Sequence, residues 1–74
     1  MNLKDLKLKE KDRLALEEMQ TSKTIAEVAV ILGCSYHTAF TKLLVWEAQG
    51  WIRKIVQGRH SKYYLNQDLF EVDQ

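Results

Sequence analysis

A pair of helical segments separated by only three residues constrains the fold of this chain more than any other feature. The first segment begins at Thr24, because the Thr24 hydroxyl can accept a hydrogen bond from the amide of Glu27 while the Glu27 carboxylate reaches back to the amide of Thr24. Apolar residues then recur at helical spacing, and Gly33 follows where a left-handed residue can end a helix without a Cβ clash. The sequence therefore predicts a helix over 25–32.

The second helix of the pair is the longer one and begins directly after the turn. Ser35 is a good N-cap, and Gly50 ends the helix, which is predicted over 36–49. One face of this helix is apolar and is expected to point inward, through Ala39, Leu43 and Trp46. Two helices joined by a short glycine-containing turn, the second of them long, form a helix-turn-helix unit.

The segments on either side of this unit complete an α+β pattern. Apolar residues at helical spacing predict a first helix over 8–20. Beyond the third helix, β-branched and aromatic residues predict strands over 51–56 and 62–65, joined by a polar turn over 57–61. The segment 66–74 is acidic and reads as either a short helix or a frayed tail. The expected fold is therefore three helices followed by a two-stranded β-hairpin.

Length and residue content favour a small binding module. A chain of 74 residues has room for one domain, predicted to span 1–74. The single cysteine, Cys34, excludes an internal disulfide, and we expect it to pack as a small apolar residue. His37 and His60 fall on separate predicted elements and have no acidic or cysteine companion, so we expect no metal or other cofactor.

Enzymatic activity and membrane insertion are not expected. No spacing of serine, histidine and carboxylate suggests a catalytic triad, and the sequence has no glycine-rich phosphate loop or paired-carboxylate site. No apolar run approaches the roughly 18 residues that a transmembrane helix needs. Residues 1–12 alternate charged side chains with leucine, unlike a signal peptide. We therefore expect a cytoplasmic protein without a small-molecule ligand.

Charge is divided unevenly along the chain. The formal net charge is +1, and residues 1–35 carry equal numbers of acidic and basic side chains. Residues 36–65 carry five basic side chains and a single acidic one, whereas residues 66–74 are acidic. A local basic stripe is the electrostatic signature of a protein that binds a polyanion, although a solvated surface would have the same composition.

Apolar residues near both ends of the chain predict a homodimer. Leu3 and Leu6 precede the first predicted helix, and Leu69, Phe70 and Val72 follow the last predicted strand. An isolated domain of this size is expected to leave such residues in contact with water, so a second copy would cover them.

Matches to a known family run through the helical pair and the hairpin in the correct order. In TIAEVAVILGCSYHTAFTKLLVWEAQGWI, the residues that match are Val28-Ala29, Gly33, Cys34-Ser35, Ala39, Leu43, Trp46 and Gly50-Trp51-Ile52. The stretch GRHSKYYLN then matches a hairpin turn and its returning strand. Over residues 8–66 the chain resembles the winged helix-turn-helix family of DNA-binding regulators, in particular the small stand-alone regulators of archaea, plasmids and viruses.

This resemblance implies a sequence-specific transcriptional regulator that binds double-stranded DNA as a homodimer. The recognition helix, 36–49, would enter the major groove, and the basic wing, 53–62, would contact the backbone or the minor groove. The residues expected to contact DNA are Ser35, Tyr36, His37, Thr38, Phe40, Thr41 and Lys42 on the helix, and Arg53, Lys54, Arg59, His60 and Lys62 on the wing. Among these, Tyr36, His37 and Thr41 would contact bases, whereas Ser35 and Lys42 would contact phosphates.

One departure from the family keeps two alternatives open. Lys42 is the only full positive charge near the start of the predicted recognition helix, where family members offer arginine or lysine more freely. Phe40 and Leu44 lie one helical turn apart and can form an apolar strip. The strip would suit a winged-helix module that binds protein, and the third interpretation is an architectural protein that binds DNA without sequence preference.

Overall fold

Three helices are followed by an antiparallel β-hairpin, as the sequence predicts, and the arrangement is an α+β fold of winged-helix type. The structure is a computed structural model that describes residues 2–70. Its elements are a short 3-10 helix Leu3–Asp5, helices α1 Glu10–Glu18, α2 Ile25–Leu32 and α3 Tyr36–Ala48, and strands β1 Ile52–Gln57 and β2 His60–Leu65.

The turn between α2 and α3 forms as its residues predict. At the start of α2 the Thr24 hydroxyl accepts from the Glu27 amide at 3.2 Å, and the Glu27 carboxylate accepts from the Thr24 amide at 3.0 Å. Gly33 ends α2 with a φ of +67°, a left-handed conformation in which a side chain would be strained. The Ser35 side chain caps α3, and the chain bends by 102° between the two helices.

The first helix is shorter than its predicted range of 8–20. Lys9 precedes α1 in an extended conformation, and its side chain makes no capping hydrogen bond. Leu8 lies before the helix and packs, half-buried, against the core. Its position in the apolar pattern is therefore correct, but it contributes to the core from an extended segment rather than from a helical turn.

The hairpin turn is also tighter than expected. Gly58 and Arg59 form a two-residue turn, because the pairs Gln57–His60 and Val56–Ser61 already belong to the ladder. Gly58 has a φ of +59° at the first turn position, the glycine placement that two-residue hairpins of type II′ favour. The predicted turn over 57–61 is therefore wrong in extent, and both strands reach closer to the tip.

Lys23, just before α2, pairs with strand β2 on the side opposite β1. The amide of Lys23 donates to the carbonyl of Tyr63, and the amide of Tyr63 donates to the carbonyl of Lys23, both at 2.8 Å. The Leu65 amide donates to the carbonyl of Met19, also at 2.8 Å. Strand β2 is therefore tied to the α1–α2 connection on one side and to β1 on the other, which fixes the wing against the helices.

The core draws on every element and on both ends of the described chain. Its buried residues are Leu3, Ala15, Leu16, Met19, Val28, Ala29, Leu32, Ala39, Leu43, Trp46, Ile52, Tyr63, Leu65 and Phe70. Cys34 and Trp51 are half-buried and pack against this cluster, and Tyr64, next to the buried Tyr63, is half-buried as well.

The apolar residues near both ends of the described chain are covered within a single copy, so the expectation that they contact water in an isolated domain is wrong. Leu3 is 7% exposed and Phe70 is 1% exposed, while Leu6 and Leu69 pack half-buried against the core. A turn brings Phe70 inward, because its amide donates to the carbonyl of Asn66 at 3.1 Å. Segment 66–70 is thus a turn, and Val72 lies outside the described residues.

Candidate nucleic-acid interface

Helix α3 presents its N-terminal half to solvent because its opposite face is anchored in the core. Ala39, Leu43 and Trp46 are buried, as expected, and they orient the helix about its axis. The exposed residues among those expected to contact DNA are Ser35, Tyr36, His37, Thr38 and Thr41, whereas Phe40 and Lys42 are half-buried. Tyr36 is the most open of the aromatic side chains, with 59% of its surface exposed.

The hydroxyl groups of Ser35, Thr38 and Thr41 on this face already have partners within the protein, whereas the Tyr36 hydroxyl has none among residues 2–70. Ser35 Oγ donates to Thr38 Oγ1 at 2.9 Å and accepts from the Thr38 amide at 3.2 Å. Thr41 Oγ1 donates to the carbonyl of His37 at 3.0 Å. Because the hydroxyl hydrogens of Ser35 and Thr41 are already donated within the protein, the outward face offers fewer free donors than its sequence suggests.

The single lysine of α3 also has a partner. Lys42 Nζ lies 3.0 Å from Asp12 Oδ1 on α1, in a part-buried ion pair. Both residues line a shallow, largely apolar cleft of about 250 Å³ together with Leu32 and Cys34. The expected phosphate contact of Lys42 therefore competes with a carboxylate that lies thirty residues earlier in the chain.

Basic residues of the wing differ in how freely they can reach a ligand. Arg53 Nη2 lies 3.1 Å from Asp68 Oδ2, and Lys54 Nζ lies 6.0 Å from the centre of the Tyr63 ring. Arg59 and His60, at the hairpin tip, are exposed and have no ion pair among residues 2–70. Lys62 has no ion pair in that range either, but it is half-buried, so the freest positive charge of the wing is at its tip.

An open cleft of about 420 Å³ joins the wing tip to the starts of two helices. Its lining residues are Thr24, Ile25 and Ala26 at the start of α2, Tyr36 at the start of α3, and Arg59, His60 and Ser61 on the wing. The amides at a helix start carry partial positive charge, and the starts of α2 and α3 line this cleft together with Arg59. The cleft therefore combines three cationic or donor-rich features on one surface.

The carboxylate of Glu27 lies near two of the basic residues, Lys23 and Lys62. Hydrogen bonding with Thr24, first with its backbone amide and then with its side chain, holds the pKa of Glu27 below its ordinary value, and the charges of Lys23 and Lys62 act in the same direction. Glu27 thus stays ionised to lower pH than a free glutamate, and it offsets part of the positive charge that Lys62 contributes.

The sequence predicted the residues that α3 and the wing tip contribute to this cleft more completely than those that α2 contributes. It placed Tyr36, Arg59 and His60 in the interface, and the structure brings these three together around one cleft. It missed Ser61 and the start of α2, although the capping box at Thr24 marks the position of that helix start in the sequence. Nothing local in the sequence shows that this helix start faces the wing, because that depends on the pairing of Lys23 with Tyr63.

Comparison with known proteins adds no assignment. No protein-family model matches the sequence, and no curated protein or solved structure is significantly similar to the chain. Within residues 2–70, no group of three or more histidine, cysteine, aspartate or glutamate side chains could hold a metal ion. No single helix in that range is long and apolar enough to cross a membrane, and α2 and α3 meet those criteria only when the bent pair is taken together.

Proposed function

We propose that this protein is a winged helix-turn-helix regulator that binds double-stranded DNA in a sequence-dependent manner. The observation that carries the proposal is the cleft between Tyr36, the start of α2 and the wing tip with Arg59. A DNA backbone strand at this position would meet helix-start amides on one side and a guanidinium group on the other. The exposed first turns of α3 would then lie in the adjacent major groove.

Charge supports the proposal chiefly through the wing. Lys42 and Arg53 are paired with Asp12 and Asp68, so their contribution to a positive surface is reduced. Arg59 retains its full charge at an exposed position on a two-residue turn, from which a long side chain can enter a minor groove. We infer that the wing provides most of the electrostatic attraction, and that α3 provides shape and base contacts.

Salt dependence of DNA binding tests this proposal. Fluorescence anisotropy of a labelled random-sequence duplex, titrated at several salt concentrations, should give a log–log slope of about −0.9 for each phosphate contact. Arg59→Ala should make the slope shallower by about 0.9. Arg13→Ala is the matched control, because the Arg13 guanidinium is paired with Glu17 on α1 and does not line the cleft.

Three results would count against this proposal. A flat anisotropy signal at low salt, with circular dichroism showing a folded protein, would exclude DNA binding of the proposed kind. Equal effects of the Arg59 and Arg13 substitutions would show attraction by overall charge rather than by the wing. Binding without any preference among duplex sequences would instead favour an architectural role.

Exposed apolar residues on α3 favour a second candidate, a winged-helix module that binds protein, including a second copy of itself. Leu44 and Val45 are 46% and 52% exposed, and they lie on the C-terminal half of α3. Sedimentation velocity of the wild type and of Leu44→Ser would detect self-association through this surface. Under this candidate, replacing both Arg59 and Lys62 with alanine would leave the assembly intact, whereas the regulator would lose its affinity for DNA.

A further inference from the structure

We propose that α3 distinguishes DNA sequences by contact with the methyl groups of thymine, an inference that rests on the proposed function. Hydrogen-bond readout of bases relies on arginine or lysine for guanine and on asparagine or glutamine for adenine. Between Tyr36 and Ala48 the helix contains no arginine, asparagine or glutamine. Its one lysine, Lys42, is held against Asp12. The helix therefore lacks a free bidentate reader of either purine.

The polar groups that remain on the outward face are largely engaged. The Thr38 amide and hydroxyl bond to Ser35, and the Thr41 hydroxyl donates to the carbonyl of His37. This last bond uses the hydroxyl hydrogen of Thr41, so that the exposed side chain can offer DNA its γ-methyl group but no free donor. Of the outward polar groups in the first two turns, the Tyr36 hydroxyl and the His37 ring are the ones without such a bond among residues 2–70.

Apolar contact surface, by contrast, is plentiful at the start of the helix. Tyr36 is 59% exposed, and Phe40 lies one turn further on and is half-buried. Phenylalanine side chains and threonine methyl groups are suited to contact the thymine C5-methyl group, which projects into the major groove. Tyr36, Phe40 and Thr41 therefore form a surface that favours thymine over bases without a methyl group.

Alternating duplexes of equal length test this inference directly. A dA–dT duplex and a dA–dU duplex differ only in the thymine methyl group and present the same groups in the minor groove. Methyl readout predicts tighter binding to dA–dT, by about fourfold for each methyl group that becomes buried. A duplex of dG and 5-methyl-dC should likewise bind more tightly than one of dG and dC, because the added methyl group projects into the same groove.

A pair of substitutions at Thr41 assigns the effect to a single group. Thr41→Ser removes the methyl group and keeps a hydroxyl for the His37 carbonyl, so it should lower the preference for dA–dT over dA–dU. Thr41→Val keeps a methyl group and removes the hydroxyl, so it should retain the preference. Thermal unfolding of both variants verifies that they are folded at the temperature of the binding measurement.

The outcomes separate the inference from the function on which it rests. Equal binding to dA–dT and dA–dU would overturn methyl readout while leaving DNA binding intact. Retained preference in Thr41→Ser with loss in Thr41→Val would also overturn it, because the hydroxyl would then be the reading group. No binding to any duplex at low salt, with a folded protein, would remove the proposed function itself.

Discussion

The ammonium group of Lys42 on α3 lies 3.0 Å from Oδ1 and 3.3 Å from Oδ2 of Asp12 on α1. Only 15% of the Asp12 side chain is exposed, so the carboxylate is largely sheltered from competing water. The pair connects the two helices and, at the same time, occupies the cation of α3 that would be expected to contact a DNA phosphate. Its cost to DNA binding can be measured by removing the carboxylate alone.

Replacing Asp12 with asparagine should release Lys42 and strengthen the salt dependence of DNA binding. If Lys42 then contacts a phosphate, the log–log slope should become steeper by about 0.9. The free energy of unfolding should fall by about 0.2–1 kcal/mol, because a partly exposed ion pair is lost. Anisotropy titrations at several salt concentrations and urea unfolding measure the two effects.

Glu17→Gln is the control for this experiment. It also removes a carboxylate of α1 that is paired with a cation, since Arg13 lies 2.9 Å away, but the cation that it releases is on α1. If both variants steepen the slope equally, the change in net charge explains the result and Lys42 is not a phosphate contact.

Truncation of Phe70 tests whether the C-terminal turn belongs to the monomer core. The side chain is 1% exposed, and Phe70→Ala should lower the free energy of unfolding by about 3–5 kcal/mol. Val56→Ala, at a position that is 68% exposed, should change it by less than about 0.5 kcal/mol. Denaturant unfolding of both variants provides the comparison.

Protein concentration separates this interpretation from obligate dimerisation. Because Phe70 and Leu3 are buried within one copy, the unfolding midpoint of the wild type should be independent of concentration. A midpoint that rises with concentration would show that a second copy stabilises the fold. Burial of Phe70 and Leu3 within one copy would then not account for the whole stability of the protein.

Signals close together in sequence predicted the helical part of the fold well. The capping box at Thr24, the left-handed Gly33 and the N-cap Ser35 each act within four residues, so the bounds of α2 follow from local chemistry. The start of α1 was harder to predict, because Lys9 supplies no side-chain cap and Leu8 belongs to the core without being helical.

Local sequence patterns could not predict contacts between residues that are far apart in the chain. Lys23 pairs with Tyr63 as an isolated residue, and a single residue has no periodic pattern from which a strand could be predicted. The partners of Lys42 and Arg53 lie 30 and 15 residues away in sequence. Composition identified both residues as basic, but only the tertiary structure shows that a carboxylate lies beside each of them.

The conformation of Gly33 makes a sharp prediction for the turn before α3. Gly33→Ala should cost about 1–2 kcal/mol of unfolding free energy, because a Cβ is unfavourable at a φ of +67°. Crowding adds little, since the nearest atom to such a Cβ is the flexible Lys11 Nζ at 3.4 Å. Gly33→Asn should cost less than alanine, because asparagine tolerates the left-handed region better. Equal costs would show that backbone conformation does not limit this turn.

The acid sensitivity of the fold should depend in part on Glu27. Its pKa is lowered in the folded protein, first by the hydrogen bonds with Thr24 and then by the nearby charges of Lys23 and Lys62. A lowered pKa means that the unfolded chain binds the proton more readily. The stabilisation from this carboxylate is therefore fully present above the unfolded pKa and is lost as the pH falls through the folded value.

Two substitutions at this position separate the charge of the carboxylate from its hydrogen bond. Glu27→Gln keeps an oxygen that can accept from the Thr24 amide, so it should be less stable than the wild type at neutral pH and equally stable in acid, below the folded pKa. Glu27→Ala loses the hydrogen bond as well and should be less stable at both pH values. Urea unfolding at neutral and acid pH measures these differences. A deficit of Glu27→Gln that stays constant between the two conditions would show that ionisation of Glu27 does not contribute to the stability of α2, and that the capping box acts through its geometry alone.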